Sequence, residues 1–395
     1  MKRWFNCIIV LLCATFLLCC KAKEEGLRLI KGDDVSFHLG WKPSYRCNGT
    51  YFDSKIGKDL FYFTEYNTNK CMKLFDEDFN LINTIKLDSL PNRGMIRAMQ
   101  VIDHDTILVL CGFRPVEFAY LVNFEGKVVG EVNFESPIKQ DTNNIQLDHS
   151  SGDVDFYYDG NIYMKYTFNE SHYFANYSYD LVTHSDSMMM DYPFMVSINL
   201  DNNPITLDKL FDNIYKENYK YGYAIDSYAR YCIANGKLFM PIGHNANLYV
   251  ADLKTKQIEK VLKVSSKYTQ TGFDIEDYKF APDHYKDLKH DEYIHSSSIA
   301  GGFYSVIWDK YRKVYYFVIK HSCSDYNPQK KRYHPDSFSI QVFDENFNKK
   351  GETKFLVKDY WYGESLINSK GLLVQKRNAS DDKGIKGYSL FTISD

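Results

Sequence analysis

Few residues in this chain stand at the spacings that chemistry requires. His290-Asp291-Glu292-Tyr293-Ile294-His295 places two imidazoles around a glutamate, with Asp283, His284 and Asp287 close by. Zinc hydrolases need histidines four apart on one helical face; five apart along a strand, the two rings face opposite sides. A solvated acidic loop accounts for this segment. Asp103-His104-Asp105 sets an imidazole between two carboxylates, a grouping able to move protons. It also separates two apolar runs, where the same residue types make a tight turn. Asp76 and Asp344 open Asp-Glu-Asp-Phe-Asn and Asp-Glu-Asn-Phe-Asn, which begin like a calcium loop. The sixth position is not glycine, and the twelfth is Leu87 or Phe355 rather than glutamate. Ser151-Gly152-Asp153-Val154-Asp155 starts like a sialidase Asp-box but lacks its glycine and tryptophan. No glycine-rich phosphate loop, Gly-x-Ser-x-Gly elbow or Cys-x-x-Cys pair occurs. These residues assign no catalytic group, no metal and no cofactor, and they favour binding over catalysis.

The elements that carry these residues are strands. The 395 residues include 33 Tyr, 27 Phe and 4 Trp, and ring-rich segments prefer strands to helices. Hydrophobic residues make up 44% and charged residues 25%, which excludes a disordered chain. A net charge of −3 excludes the basic surface that nucleic acid requires.

The first residues read as an address. Lys2 and Arg3 precede an apolar run, Ile8 to Leu18, short for a membrane span and right for a signal peptide, with an ordinary secretory signal or a single anchor helix as the alternatives to the lipoprotein pattern that follows. Leu18-Cys19-Cys20 follows, then Lys21-Ala22-Lys23-Glu24-Glu25. The pattern resembles a bacterial lipoprotein signal with Cys20 as the lipidated residue, since Cys19 supplies the small preceding side chain. The expected organisation is a signal peptide over 1–19, a lipidated tether over 20–32 and one domain over 33–395, lipid-anchored in the cell envelope at the outer membrane. The remaining cysteines are Cys47, Cys71, Cys111, Cys232 and Cys323, an odd number, so one at least is unpaired. Cys71 and Cys111 lie in apolar runs and read as small buried hydrophobes.

Five segments repeat a strand, an Asp/Asn turn and a second strand, marked by Asp76, Asn123, Asn199, Asp252 and Asp344. Two of the spacings lie near 50 residues, the period of a four-stranded propeller blade. Strand-like runs fill six blades, and the sixth lacks an outer strand. Asp34 to Leu39 is an orphan run ahead of blade one that can supply it. The expected fold is all-β, a six-bladed β-propeller closed by an N-terminal strand; seven blades or a pair of β-sandwiches are the alternatives. Leu207 to Tyr215 is at most a short helix.

The leader, the length, the twin Phe-Asp-Glu-Asp/Asn-Phe-Asn hairpins and Trp308-Asp309-Lys310-Tyr311-Arg312-Lys313-Val314-Tyr315-Tyr316 resemble a Bacteroidetes-type lipoprotein family of unknown function. That family is similar to the TolB-type and NHL-type six-bladed propellers. The resemblance spans the whole mature chain, implies the fold and brings no catalytic residues. Glu24 and Glu25 resemble a surface-export tag interrupted by Lys21 and Lys23, so the periplasmic and surface sides both stay open. Asp88-Ser89-Leu90, Asp105-Thr106-Ile107 and Asp186-Ser187-Met188 resemble that phylum's O-glycosylation triplets.

In such a ring the connections from strand b to c and from d to the next a share one face. The polar insertions 169–190, 265–296 and 321–336 all fall in those connections. So do Trp41, Tyr45, Arg93, Arg114, His244 and Trp361, aromatic and basic residues of the kind that anchor ligands. They are the candidate ligand-binding residues, for a protein or glycan. Loops grown without function explain the insertions equally well. A carbohydrate-active enzyme would need carboxylates roughly 5–10 Å apart at the central channel, with Asp153 and Asp155 as candidates. A structural scaffold within a lipoprotein assembly is the third reading.

Overall fold

The structure is a computed structural model. It describes residues 26–41, 48–65, 70–93, 95–112, 116–135, 145–148, 156–168, 195–202, 204–211, 214, 231–241, 247–269, 301–322, 335–377 and 384–394, with 145–148 and 165–168 as backbone alone. Strand β1 (Leu29–His38) comes first. Blade one is β2 (Gly49–Asp53), β3 (Lys58–Glu65), β4 (Cys71–Phe75) and β5 (Leu81–Lys86). Blade two is β6 (Met95–Asp103), β7 (Thr106–Gly112), β8 (Phe118–Val122) and β9 (Val128–Asn133). Blade three is β10 (Ile145–Asp148), β11 (Tyr157–Tyr158), β12 (Asn161–Phe168), β13 (Met195–Asn199) and β14 (Asp208–Leu210). Blade four is β15 (Cys232–Ala234), β16 (Lys237–Pro241), β17 (Asn247–Asp252) and β18 (Gln257–Lys263). Blade five is β19 (Gly302–Asp309), β20 (Val314–Lys320), β21 (Ser337–Asp344) and β22 (Lys349–Leu356). Blade six is β23 (Tyr360–Asn368), β24 (Gly371–Lys376) and β25 (Ile385–Ile393).

Every sheet is an antiparallel meander, and the sheets form the expected six-bladed propeller. The ring closes through β1, which pairs with β25 from Leu29↔Ile393 to His38↔Ile385. The first and last strands of the chain thereby share one blade, and the outer position of blade six is filled. Phe37 locks the joint. It is fully buried, with its ring 4.7 Å from Phe63, 5.3 Å from Phe61 and 5.4 Å from Tyr388. Burying such a ring contributes about 1.5–3 kcal/mol.

Middle strands are covered on both sides by neighbouring blades, so they read as unbroken apolar runs. Ile107 to Cys111 and Tyr315 to Ile319 are buried at every position. Outer strands face solvent on one side: β9 alternates half-buried with exposed residues, and β18 is mostly exposed. The twin hairpins share their turn bonds, and Asp344 adds an ion pair to Lys350 at 2.9 Å. Asp76 Oδ1 accepts from the amides of Asp78 (3.0 Å) and Asn80 (2.8 Å); Asp344 Oδ1 accepts from Asn346 (3.0 Å) and Asn348 (2.8 Å). Phe79 and Phe347 both take left-handed φ, at 68° and 63°. These carboxylates cap their own turns.

Four elements differ from expectation. Strand β1 starts at Leu29, so residues 29–32 belong to blade six rather than to a tether. The inner strand β2 carries Gly and Thr beside two rings and gives no apolar run to read. Blade three begins with β10 as well as Tyr157–Tyr158, while Asp153 and Asp155 lie outside the described residues. Residues 208–210 form an outer strand rather than a helix, because Met195 to Ser197 offer them a free edge.

Candidate functional site

Each innermost strand pairs on one side only, and its other edge faces the axis of the ring. Strands β2, β15, β19 and β23 enclose a cavity of about 240 Å³ there, with Asn48, Thr50, Asn235, Ser305, Glu364 and Ser365 in its wall. Glu364 gets there through a bulge. Tyr360 pairs with Lys376 and Ser365 with Val374, so four residues, Trp361 to Glu364, stand opposite Gln375 alone. Gly363 is required, because a Cβ there would collide with the Trp361 indole nitrogen.

Glu364 is 8% exposed and takes up three donors. Lys386, fully buried, donates to Oε2. Tyr388 donates to Oε1, and Asn48 Nδ2 donates to Oε2 at 3.2 Å. Asn48 Oδ1 in turn accepts from the Thr64 amide at 3.1 Å. The network joins blade six to blade one at the end of the cavity that lies on the b–c and d–a face. Its carboxylate is neutralised and held in place, which suits shaping a site and not proton transfer. Among the described residues of the wall Glu364 is the one carboxylate, and no pair of acids meets at the axis.

The opposite end is crossed by the a–b turn of blade five. Lys310 Nζ reaches Asp59 Oδ1 of blade one at 3.0 Å and lies 3.2 Å from the Phe52 ring centre. Tyr311 donates to Asp59 Oδ2 at 2.5 Å, and Arg312 donates to the Ser369 carbonyl of blade six at 3.0 Å. Asp309 organises the turn by accepting from the Tyr311 and Arg312 amides, both at 3.0 Å. Burial and the Asp59 charge push the Tyr311 phenol well above its ordinary value. The Trp308-to-Tyr316 motif is thus a strap across three blades.

The candidate residues fall into separate places. Trp41 follows β1, with Lys73 Nζ 4.3 Å above its ring, and a Cβ on Gly384 would meet its backbone. Trp361 belongs to β23 and not to a connection, a correction that follows from the bulge lengthening this strand. Its ring lies 4.6 Å from Tyr362 and 5.6 Å from the Arg377 guanidinium. Gly384 and Arg377 bound the b–c connection of blade six, so the two tryptophans flank it. Arg93 sits apart on blade two, bonded to Glu131 at 2.5 Å and 5.3 Å from the Phe118 ring. Cys20, Tyr45, Arg114 and His244 lie outside the described residues, as do 169–190 and His290 to His295.

The roots of the other two insertions meet. Thr269 Oγ1 accepts from the Ser322 amide at 2.9 Å and shares a second 2.9 Å bond with the Ser322 hydroxyl. The Tyr268 and His321 rings meet at 5.9 Å, tilted by 35°. Beneath them Glu352 binds Ser266 Oγ (2.5 Å), Ser339 Oγ (2.6 Å) and Lys349 Nζ (2.7 Å). Burial opposes its charge, but Lys349 and the two hydroxyls outweigh that and hold its carboxyl at about 2. His321, 3% exposed, shares a 2.8 Å bond with Ser337 Oγ. Burial and then the Lys354 charge lower it to about 4.

His104 makes a turn rather than a proton relay. Its Nδ1 meets Asp53 Oδ2 of blade one at 2.6 Å, while Asp105 takes φ 61° and accepts from the Phe124 amide at 2.6 Å. Burial works against the Asp53 charge, and the His104 bond together with the Lys55 and Ile56 amides outweighs it and holds that carboxyl below its usual range. Of the glycosylation triplets, Ser89 donates inward to the Gly126 carbonyl at 2.5 Å, and Ser187 lies outside the described residues. Cys71, Cys111 and Cys232 are all buried.

No family model matches the chain, and no curated protein does. Among solved structures it is similar to a DUF4221-family protein of Bacteroides vulgatus, with TM-score 0.65 and 18% identity over 94% of this chain and 100% of that one. It is also similar to a candidate exported protein of Bacteroides fragilis, with TM-score 0.51 and 9% identity over 94% and 97% of the two chains. At these identities the likeness is one of fold. It bears out the resemblance to Bacteroides proteins from a family of unknown function.

Proposed function

We propose that the protein is a ligand-binding module of the cell envelope that recognises a protein or glycan on its b–c and d–a face. One observation carries the reading. The long connections, the bonded roots at Thr269 and Ser322, the two tryptophans flanking blade six and the Glu364 end of the cavity all belong to one face. Among the described residues the other face carries Asp- and Asn-capped turns, and the described chain enters there: the Leu27 amide bonds to Lys350 O at 2.9 Å at the start of β22. A lipid on Cys20 would therefore keep the turn face near the membrane and present the elaborated face outward. The description of the B. fragilis neighbour as a candidate exported protein supports an envelope location. Catalysis is disfavoured because Glu364, the carboxylate at the axis, already holds Lys386, Tyr388 and Asn48.

The test is a glycan and envelope-protein binding screen with the lipid-free mature domain. Trp41→Ala, Trp361→Ala and Arg93→Ala are expected to weaken capture, most strongly at the two tryptophans. Binding indifferent to all three, or hydrolysis of a captured glycan, overturns the reading.

A further inference from the structure

We infer that the a–b hairpin of blade one, residues 52–58, docks on the headgroup region of a lipid bilayer. This depends on the lipid anchor of the reading above and not on its loop-face ligand. The hairpin exposes two apolar side chains, Phe52 and Ile56, and two lysines, Lys55 and Lys58. Its one acid, Asp53, is buried. Gly57 closes the turn at φ 68°, and a Cβ there would meet nothing within 4 Å, so the tip stands clear of its surroundings. On the adjacent c–d turn Asp78 pairs with Lys370 at 2.8 Å, and Glu77 accepts from Ser369 at 3.3 Å, both partners in blade six. Apolar side chains set between lysines suit the boundary of acyl chains and anionic headgroups, where the rings and branches enter and the ammonium groups stay with phosphate. The hairpin is also braced. Asp53 accepts from the Lys55 amide at 3.0 Å and meets His104 of blade two at 2.6 Å, while Lys310 and Tyr311 of blade five hold Asp59 at its base. A tip held from both sides has little freedom left to lose on docking.

Position selects a membrane over a protein partner. Ile30, Leu81, Ile82 and Val129 are large, apolar and exposed, and each is the first or second residue of an outer strand that starts at the turn face. They belong to blades six, one and two, a consecutive sector with this hairpin in its middle; Ile258 on blade four stands apart. The exposed counterparts at the loop face, Met95, Tyr268 and Leu356, are scattered over blade two, the connection after blade four, and blade five. The described chain enters the turn face beside the same sector, since β1 is the outer strand of blade six. Gly26 lies six residues after Cys20, a reach of about 20 Å at full extension. A chain anchored at Cys20 therefore holds the sector at the lipid surface.

The experiment sediments the lipid-free mature domain, which contains every described strand, with vesicles of phosphatidylethanolamine and phosphatidylglycerol at millimolar lipid. The domain is expected to pellet with them. Ile56 is 51% exposed, so Ile56→Asp should keep the parent's circular dichroism and melting curve while weakening vesicle binding about tenfold. Met95→Asp makes the same change at an exposed residue of the loop face and is expected to leave vesicle affinity unchanged. Lys55→Ala/Lys58→Ala should weaken binding to these anionic vesicles and leave binding to phosphatidylcholine vesicles as it was. No pelleting, an Ile56→Asp protein that binds like the parent, or an equal loss in Met95→Asp overturns the proposal. So does capture of an envelope protein through Ile56 without affinity for vesicles. The earlier reading fails separately: mass spectrometry of the native chain reads the lipid on Cys20, and loop-face capture is measured without vesicles.

Discussion

Glu364→Gln is the substitution that most sharply separates a shaping role from an idle surface acid. It removes the charge facing Lys386, which is fully buried, and leaves an ammonium enclosed with a neutral amide. Breaking one side of a buried ion pair costs about 3–5 kcal/mol. For a chain of this size, unfolding entropy near 2.1 cal/mol/K per residue turns that into a fall in Tm of about 4–6 °C. Lys386→Met strands the carboxylate instead and costs a comparable amount. The double variant Glu364→Gln/Lys386→Met leaves no charge behind and is expected within about 1–2 kcal/mol of the parent. The cycle should therefore show a coupling of at least about 2 kcal/mol. Thermal unfolding by circular dichroism, with urea titration as a second reading, measures all four proteins. A Glu364→Gln protein within about 0.5 kcal/mol of the parent, or additive single effects, refutes the argument that this buried pair holds the inner and third strands of blade six together.

Three further outcomes follow from the same contacts. His321 sits near 4 in the fold against an ordinary 6.5, so the unfolded chain binds its proton first as pH falls. Its stabilisation is complete above pH 6.5 and is lost toward pH 4, about 2–3 kcal/mol by pH 4.5. In urea titrations His321→Gln should flatten that segment of the stability–pH curve, and an unchanged curve contradicts the burial. Cys71 is pushed up to about 11 by burial and then by Glu65, and Cys111 to about 12 by burial. Both should resist a thiol reagent at pH 8 until the protein unfolds; mass spectrometry locates the label, and labelling of either in the native protein contradicts the packing. Asp76→Ala and Asp344→Ala each remove two backbone bonds of one turn and should cost additive amounts of about 1–2 kcal/mol, with Asp344→Ala the larger because it also breaks the ion pair to Lys350; a larger loss at Asp76 in thermal melts contradicts this bonding.

Much of the ring was legible because a blade's middle strands are covered on both sides. Ile107 to Cys111 and Tyr315 to Ile319 announce themselves as apolar runs, and the paired Phe-Asp-Glu hairpins reveal the repeat. The orphan run ahead of blade one identified the closing strand for the same reason: Phe37 must be buried. The inner strands were harder. Gly49 to Asp53 and the Trp361–Glu364 bulge take their conformation from neighbouring blades and carry little pattern of their own. Hydropathy also misplaced Trp361, since a bulge inside a strand and a loop before it look alike. The site itself was least legible. Glu364, Lys386, Tyr388 and Asn48 form no motif: the first three meet across the strands of blade six, and ring closure brings Asn48 of blade one to them. The one signal available was a lone lysine in the strand-like run Ile385 to Ile393, where burial demands a partner.

The central claim is that recognition belongs to the b–c and d–a face. A binding screen comparing three versions of the lipid-free domain tests it most directly: the parent, a Trp41→Ala/Trp361→Ala variant, and a turn-face variant carrying Lys127→Ala and Lys256→Ala. The account predicts a captured glycan or envelope protein whose binding is lost in the tryptophan variant and kept in the turn-face variant. Binding lost in the turn-face variant and kept in the tryptophan variant would contradict it.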